Sequence, residues 1–301
     1  MKKKVTTFNE LLLVCGQNKQ KIYELFQEKE AFLLDTTVKN VRLKVKRSLD
    51  AMKNAIILGL QSNEKSISQQ CGDDCEKLQQ KFKSKPALFG KIFEKITTYA
   101  LATIEENLRM GKIVACPTAG SCAILPSVLV AISEELNIPE SEQIDALITA
   151  GAIGSIIQNK VALAGAVAGC QAECGVASAM AAGALVQILG GTPKQIIHAV
   201  ALALKNILGL TCDPVAGLVE IPCVKRNAFL AVHSVTAAEL ALAGVESKIP
   251  ADEVVDAMSQ TGQLMSPMLK ESSQAGLAKT KTALKIEQKV SKNISSQKNK
   301  S

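Results

Sequence analysis

The 301-residue chain reads as an all-α protein. Three observations predict this. Apolar residues recur at helical spacing, capping residues stand ahead of the apolar runs, and no run of alternating β-branched residues is long enough for a strand. Thr7 to Glu10 fits a capping box ahead of Leu11, Leu12 and Leu13. Residues 38–60 set apolar positions on one helical face, with Lys and Arg on the other, and 92–110 repeats the pattern before Gly111. A helix over 127–136 stops at Asn137 and Pro139, and one over 176–189 closes on Gly190-Gly191. Thr192-Pro193 is an N-cap followed by proline at the first helical position, opening a helix to about residue 208. Residues 227–243 and 250–260 complete the set.

Composition narrows the function. Apolar residues make up 47% of the chain and charged residues 21%, enough to bury a core. The net charge of +7 sits at the ends, because residues 96–267 hold 8 basic against 15 acidic groups. With no Trp, 2 Tyr and no compact basic motif, nucleic-acid binding is not expected. The apolar segment after the N-terminal lysines is too short and interrupted for a signal peptide, and no stretch reads as a membrane span. Nine cysteines, an odd number, then point to reduced thiols and a cytoplasmic protein. Composition divides the chain into an N-terminal helical segment (1–61), a polar linker (62–90), a helical domain rich in Ala and Gly (91–271) and a basic, mobile tail (272–301) that frays or forms a loosely held helix.

Three stretches rich in Gly, Pro and turn residues interrupt the helices, and each carries cysteine: 111–122 (GKIVACPTAGSC), 169–175 (GCQAECG) and 210–227 (LTCDPVAGLVEIPCVKRN). Turn residues expose backbone N–H groups and fix the angle of a thiol. There is no C-x-x-C pair and only two histidines, so a zinc finger or a His-rich metal site does not fit. Ligation by thiolates from distant segments suits an iron–sulfur cluster. The other reading is ordinary buried cysteine.

The segments CPTAGSCAILPSVL, GCQAECGVASAMAA and LKNILGLTCDPVAGLVEIPCVKRNA together resemble the alpha chain of the iron–sulfur-dependent L-serine dehydratases, from about Ile92 to Gly276 and more faintly over the N-terminal helices. The resemblance implies a 4Fe–4S cluster that acts as a Lewis acid on the substrate hydroxyl, converting L-serine to pyruvate and ammonia without pyridoxal phosphate. It also implies a smaller beta chain as partner in a hetero-oligomer. Carried over by motif, the ligands are Cys170, Cys212 and Cys223, and Cys174 is left to packing or to a supporting place behind the ligands. The turn formed by Thr118, Ala119, Gly120 and Ser121 resembles the family's substrate-binding turn. Arg226 is placed to meet the substrate carboxylate, against the plainer reading of a structural ion pair. Among candidate bases, Lys205 ranks ahead of His198 and His233, which read as packed histidines, and the beta chain is the other source.

Two departures qualify the resemblance. Cys71-Gly72-Asp73 stands where the family has Gly-Gly-Asp, and Asn107-Leu-Arg-Met-Gly111 where it has Asn-Ala-Ser-Met-Gly. If Arg109 touches substrate, another β-substituted amino acid becomes a candidate. Cys71 and Cys75, in the polar linker, read as incidental. A pyridoxal-phosphate dehydratase, a non-catalytic iron–sulfur sensor and a structural subunit are the competing readings.

Overall fold

The computed structural model describes residues 5–298. It contains α1 (Phe8–Asn18), α2 (Ile22–Leu33), α3 (Val38–Gln61), α4 (Asp74–Ser84), α5 (Gly90–Leu108), α6 (Ile124–Glu135), α7 (Glu140–Gln158), α8 (Gly165–Ala168), α9 (Cys170–Ile188), α10 (Pro193–Lys205), α11 (Cys223–Leu242), α12 (Ala251–Leu264) and α13 (Lys281–Lys298). Among the described residues there is no strand, only an isolated bridge between Cys212 and Lys270. The fold is all-α, as the periodicity predicts.

Local signals set the helix starts. At α1 the Thr7 side chain accepts from the Glu10 amide at 3.1 Å while Glu10 accepts from the Thr7 amide at 3.2 Å. Thr192 and Gln195 build the same reciprocal cap on α10, with Pro193 following. Helices α2, α4, α7 and α8 are not anticipated from the sequence. In α7 the buried residues spread around the whole circumference, from Gln143 to Ile157, so no single apolar stripe marks it. Three helices begin earlier than expected: α6 at Ile124, α9 at Cys170 and α11 at Cys223. For α9 the reason is Gly169, whose φ of 78° turns the chain sharply into the helix.

The centre of the molecule is α9, packed against α6, α7, α10 and α11. Its Ala, Gly, Ser and Cys side chains let four helices approach it, and every residue except Glu173 is buried. One apolar core runs from Phe8 and Leu11 through Ile153 and Leu204 to Met258, so the N-terminal helices share it with the rest. No helix among the described residues is long and apolar enough to cross a membrane.

The segment 62–90 is more ordered than its composition suggests. It contains α4, and Ser66, Ser68, Cys71 and Cys75 are buried. Its polar groups are satisfied inside the protein, which composition does not reveal. Residues 281–298 form α13 beside the turn at 215–217, with Ala283 and Val290 buried.

Helices α3 and α5 approach closely at Gly59, where an added Cβ would overlap the Ala102 backbone. The Gly59→Val variant is expected to lose at least about 1–3 kcal/mol through overpacking. Urea unfolding measures this, and an unchanged midpoint would contradict the close approach.

Candidate active site and metal centre

The cysteines of the second and third turn-rich stretches meet at the start of α9. Cys170 is its first residue, and the Gln171 amide donates to Leu210 O at 3.0 Å. The buried Gln171 side chain accepts from the Gly209 amide at 2.9 Å and donates to Ala168 and Met258 carbonyls, both at 3.0 Å. These bonds fix the 209–212 loop against the helix start. Cys212 is held from the other side, its amide donating to Leu269 O at 2.9 Å and its carbonyl accepting from Glu271 N at 2.6 Å. Sulfur atoms of Cys170 and Cys212 and a carboxylate oxygen of Glu173 therefore lie within 4.8 Å of one another.

Cys223, the first residue of α11, feels the charge of Cys170, and Cys174 lies one turn along α9, but neither belongs to the trio within 4.8 Å. Hydrogen bonds from the Cys174 and Cys212 thiols hold Cys170 far below the ordinary thiol range, against the effect of burial and with Arg226 adding to the shift. The same bonds, then burial, push Cys174 and Cys212 up. Burial raises Cys223 to about 12, with the Cys170 charge adding to it. Cys174, expected as packing or as support behind the ligands, donates to the Cys170 sulfur. Burial drives Glu173 up to about 7 against the Thr118 hydrogen bond, and the Cys170 and Glu271 charges push the same way.

This donor set fits a thiophilic metal. Soft sulfur atoms from separate turns converge on one point. Glycine at 165 permits a close approach to these atoms, since a Cβ there would sit 2.8 Å from Glu173 Oε2 and 2.9 Å from Cys212 Sγ.

The turn 118–121 adjoins the cysteines through Glu173. Thr118 donates its hydroxyl to Glu173 Oε1 and lies 3.0 Å from Ser121 Oγ. The Asn227 side chain, fully buried, donates to Gly120 O at 2.7 Å and Cys223 O at 2.9 Å and accepts from Ala123 N at 3.2 Å. One amide thus joins the turn to the Cys223 helix start. Among the described residues the amides of Ala119, Gly120 and Ser121 donate to no protein acceptor. Amides left free in a turn are donors available to an anion.

A model of the serine dehydratase alpha chain family matches residues 17–278. The chain belongs to that family. It is 43% identical over 281 residues to the probable L-serine dehydratase alpha chain of Bacillus subtilis (strain 168), covering 93% of each chain. It is 41% identical over 282 residues to the L-serine dehydratase alpha chain of Peptoniphilus asaccharolyticus, covering 94% of this chain and 97% of that one. A longer relative, the L-serine dehydratase of Helicobacter pylori (strain ATCC 700392 / 26695), is 45% identical over 192 residues, or 63% of this chain and 42% of its own length.

In this member of the serine dehydratase alpha chain family, not every expected site residue joins the group. Arg226 lies beside Cys170, but its guanidinium donates to Thr211 O at 3.0 Å and faces Asp213 at 3.8 Å. It neutralises the sulfur group rather than standing free. Lys205 is not brought to the cysteines: its ammonium meets Ser247 Oγ at 3.3 Å. His233 bonds Ser178 at 2.9 Å and His198 accepts from the Ser247 amide at 3.2 Å, both packed, as expected of them. Arg109 donates to the carbonyls of Ser62, Glu64 and Gly72 at 3.1, 2.9 and 2.7 Å. It clamps the 62–72 segment, with its other terminal nitrogen buried and without a hydrogen-bond partner. That segment in turn fixes Glu220, three residues before Cys223, through the Ser66 and Ser68 hydroxyls at 2.8 and 2.5 Å.

Sequence reading missed Glu173 and Asn227. Each lies within a quoted motif, and only their contacts with the other two segments mark them out. Asn227→Ala removes three buried hydrogen bonds and is expected to cost about 2 kcal/mol or more. A thermal midpoint equal to the wild type would show that Asn227 does not tie the turn to α11.

Proposed function

We propose that this chain is the cluster-binding, catalytic subunit of an L-serine dehydratase that releases pyruvate and ammonia from L-serine. In this reading Cys170, Cys212 and Cys223 hold a 4Fe–4S cluster, and a beta chain completes a cytoplasmic hetero-oligomer. The observation that carries the reading is the convergence of Cys170 and Cys212 beside a turn with three undonated amides. When bound, the cluster supplies an iron with an open position, a Lewis acid for the substrate hydroxyl.

The chain's own residues bind and orient the substrate. The amides of Ala119, Gly120 and Ser121 receive the carboxylate, and the Thr118 hydroxyl lines the same turn. Arg226 offsets the negative charge gathered at the sulfurs, with Cys174 donating to Cys170. Burial of the cysteine group keeps bulk water from the thiolates. Lys205, engaged by Ser247, is not placed to take the α-proton, so we assign that acceptor to the beta chain. Pyridoxal phosphate is the poorer reading, since the glycine-rich stretch ahead of Cys170 follows no strand among the described residues.

Anaerobic reconstitution of both chains with iron and sulfide, followed by a pyruvate assay on L-serine, is the direct test. Cys170→Ala, Cys212→Ala and Cys223→Ala are each expected to abolish the cluster absorbance, whereas Cys15→Ala, in α1, retains it. A full cluster with no pyruvate from L-serine would overturn the activity, and full iron in any of the three variants would overturn that ligand assignment.

A further inference from the structure

The arrangement above engages the carboxylate and the hydroxyl of L-serine and leaves its ammonium group without a partner. Glu173 is the residue suited to it. It is the only position of α9 that is not fully buried, on a helix otherwise enclosed. Its Oε1 accepts from the Thr118 hydroxyl, and no Lys, Arg or His stands within ion-pair distance of it among the described residues. The other buried carboxylates nearby each face a donor or a cation, although Asp213 Oδ1 accepts no hydrogen bond. Glu220 accepts from two serine hydroxyls, Glu105 faces Arg109, and Asp213 faces Arg226 while accepting from the Leu277 amide at 2.7 Å. The charged groups that act on Glu173 are Cys170, Glu271 and Arg226, of which two are negative.

Two glycines pack directly against its carboxylate, where any larger residue would displace it. A Cβ on Gly120 would lie 2.6 Å from Oε1 and one on Gly165 2.8 Å from Oε2. The first of these glycines belongs to the turn whose amides donate to no protein acceptor, so three free donors adjoin a carboxyl group that has no ion-pair partner. An α-amino acid carries its carboxylate and its ammonium on the same carbon, in the complementary pattern. If the substrate is L-serine, as proposed above, the geometry points to Glu173 as the residue that receives its α-ammonium group, with the Thr118 hydroxyl alongside. The free carboxylate then gains a cation only when substrate enters, and substrates lacking the amino group are disfavoured.

The test compares wild type with Glu173→Gln, an isostere that keeps an acceptor for Thr118, in the reconstituted two-chain holoenzyme. Two probes are used: L-alanine, which has the ammonium but no hydroxyl, and 3-hydroxypropionate, which has the hydroxyl but no ammonium. Glu173→Gln is expected to keep its iron, sulfide and visible spectrum and to raise KM for L-serine at least tenfold. It should weaken L-alanine at least tenfold, both as competitive inhibitor and as a thermal stabiliser of the holoenzyme, while leaving 3-hydroxypropionate unchanged. Equal weakening of both probes, or of neither, would overturn the assignment. Loss of iron from the variant would also overturn it, making Glu173 a metal donor instead. A wild-type holoenzyme that forms no pyruvate overturns the dehydratase reading by itself, and thermal protection by the two probes still scores the ammonium site.

Discussion

Concentrating sulfur and carboxylate atoms in a buried space is electrostatically costly, and the rest of the structure is arranged around meeting that cost. Cys170 sits at the first turn of a nineteen-residue helix, where the backbone dipole favours an anion. Two neighbouring thiols donate to its sulfur, and Arg226 lies behind it. Arg226 is in turn held by Thr211 O and Asp213, so its charge is fixed in place. A site prepared in this way can take a cation among its sulfurs with little rearrangement, because a metal replaces the proton on each thiol.

Holding three distant segments in register takes polar side chains more than apolar packing. Gln171 joins the start of α9 to the 209–212 loop and to α12. Asn227 joins α11 to the 118–121 turn. Ser66 and Ser68 hold Glu220 just ahead of Cys223, while Arg109 holds the serine-bearing segment. All are buried or nearly so, and each bonds to more than one partner, so the site rests on a connected network in which polar groups specify geometry. The polar composition of residues 62–90 has its explanation here, since those side chains and carbonyls are spent on internal bonds.

Much of this was readable from residue order. Capping signals at Thr7 and Thr192 located two helix starts, and apolar periodicity placed α3, α5 and α12. Periodicity failed where a helix is surrounded, as in α7, because burial on all sides leaves no stripe. It also misplaced the start of α9, where glycines at 169 and 175 read as a loop although only the first bends the chain. Lys205 looked available from its position near a motif, yet its side chain leaves α10 toward Ser247.

The sequence by itself determined the helical class, the family and the three segments that carry the chemistry, since these depend on local periodicity and on residues a few positions apart. Tertiary structure alone decided which atoms of those segments meet. Glu173 next to Thr118, Asn227 between Gly120 and Cys223, and Arg226 against Asp213 join residues up to 107 positions apart. Such pairings are fixed by how helices pack around α9, a global minimum of burial that no short stretch of chain encodes.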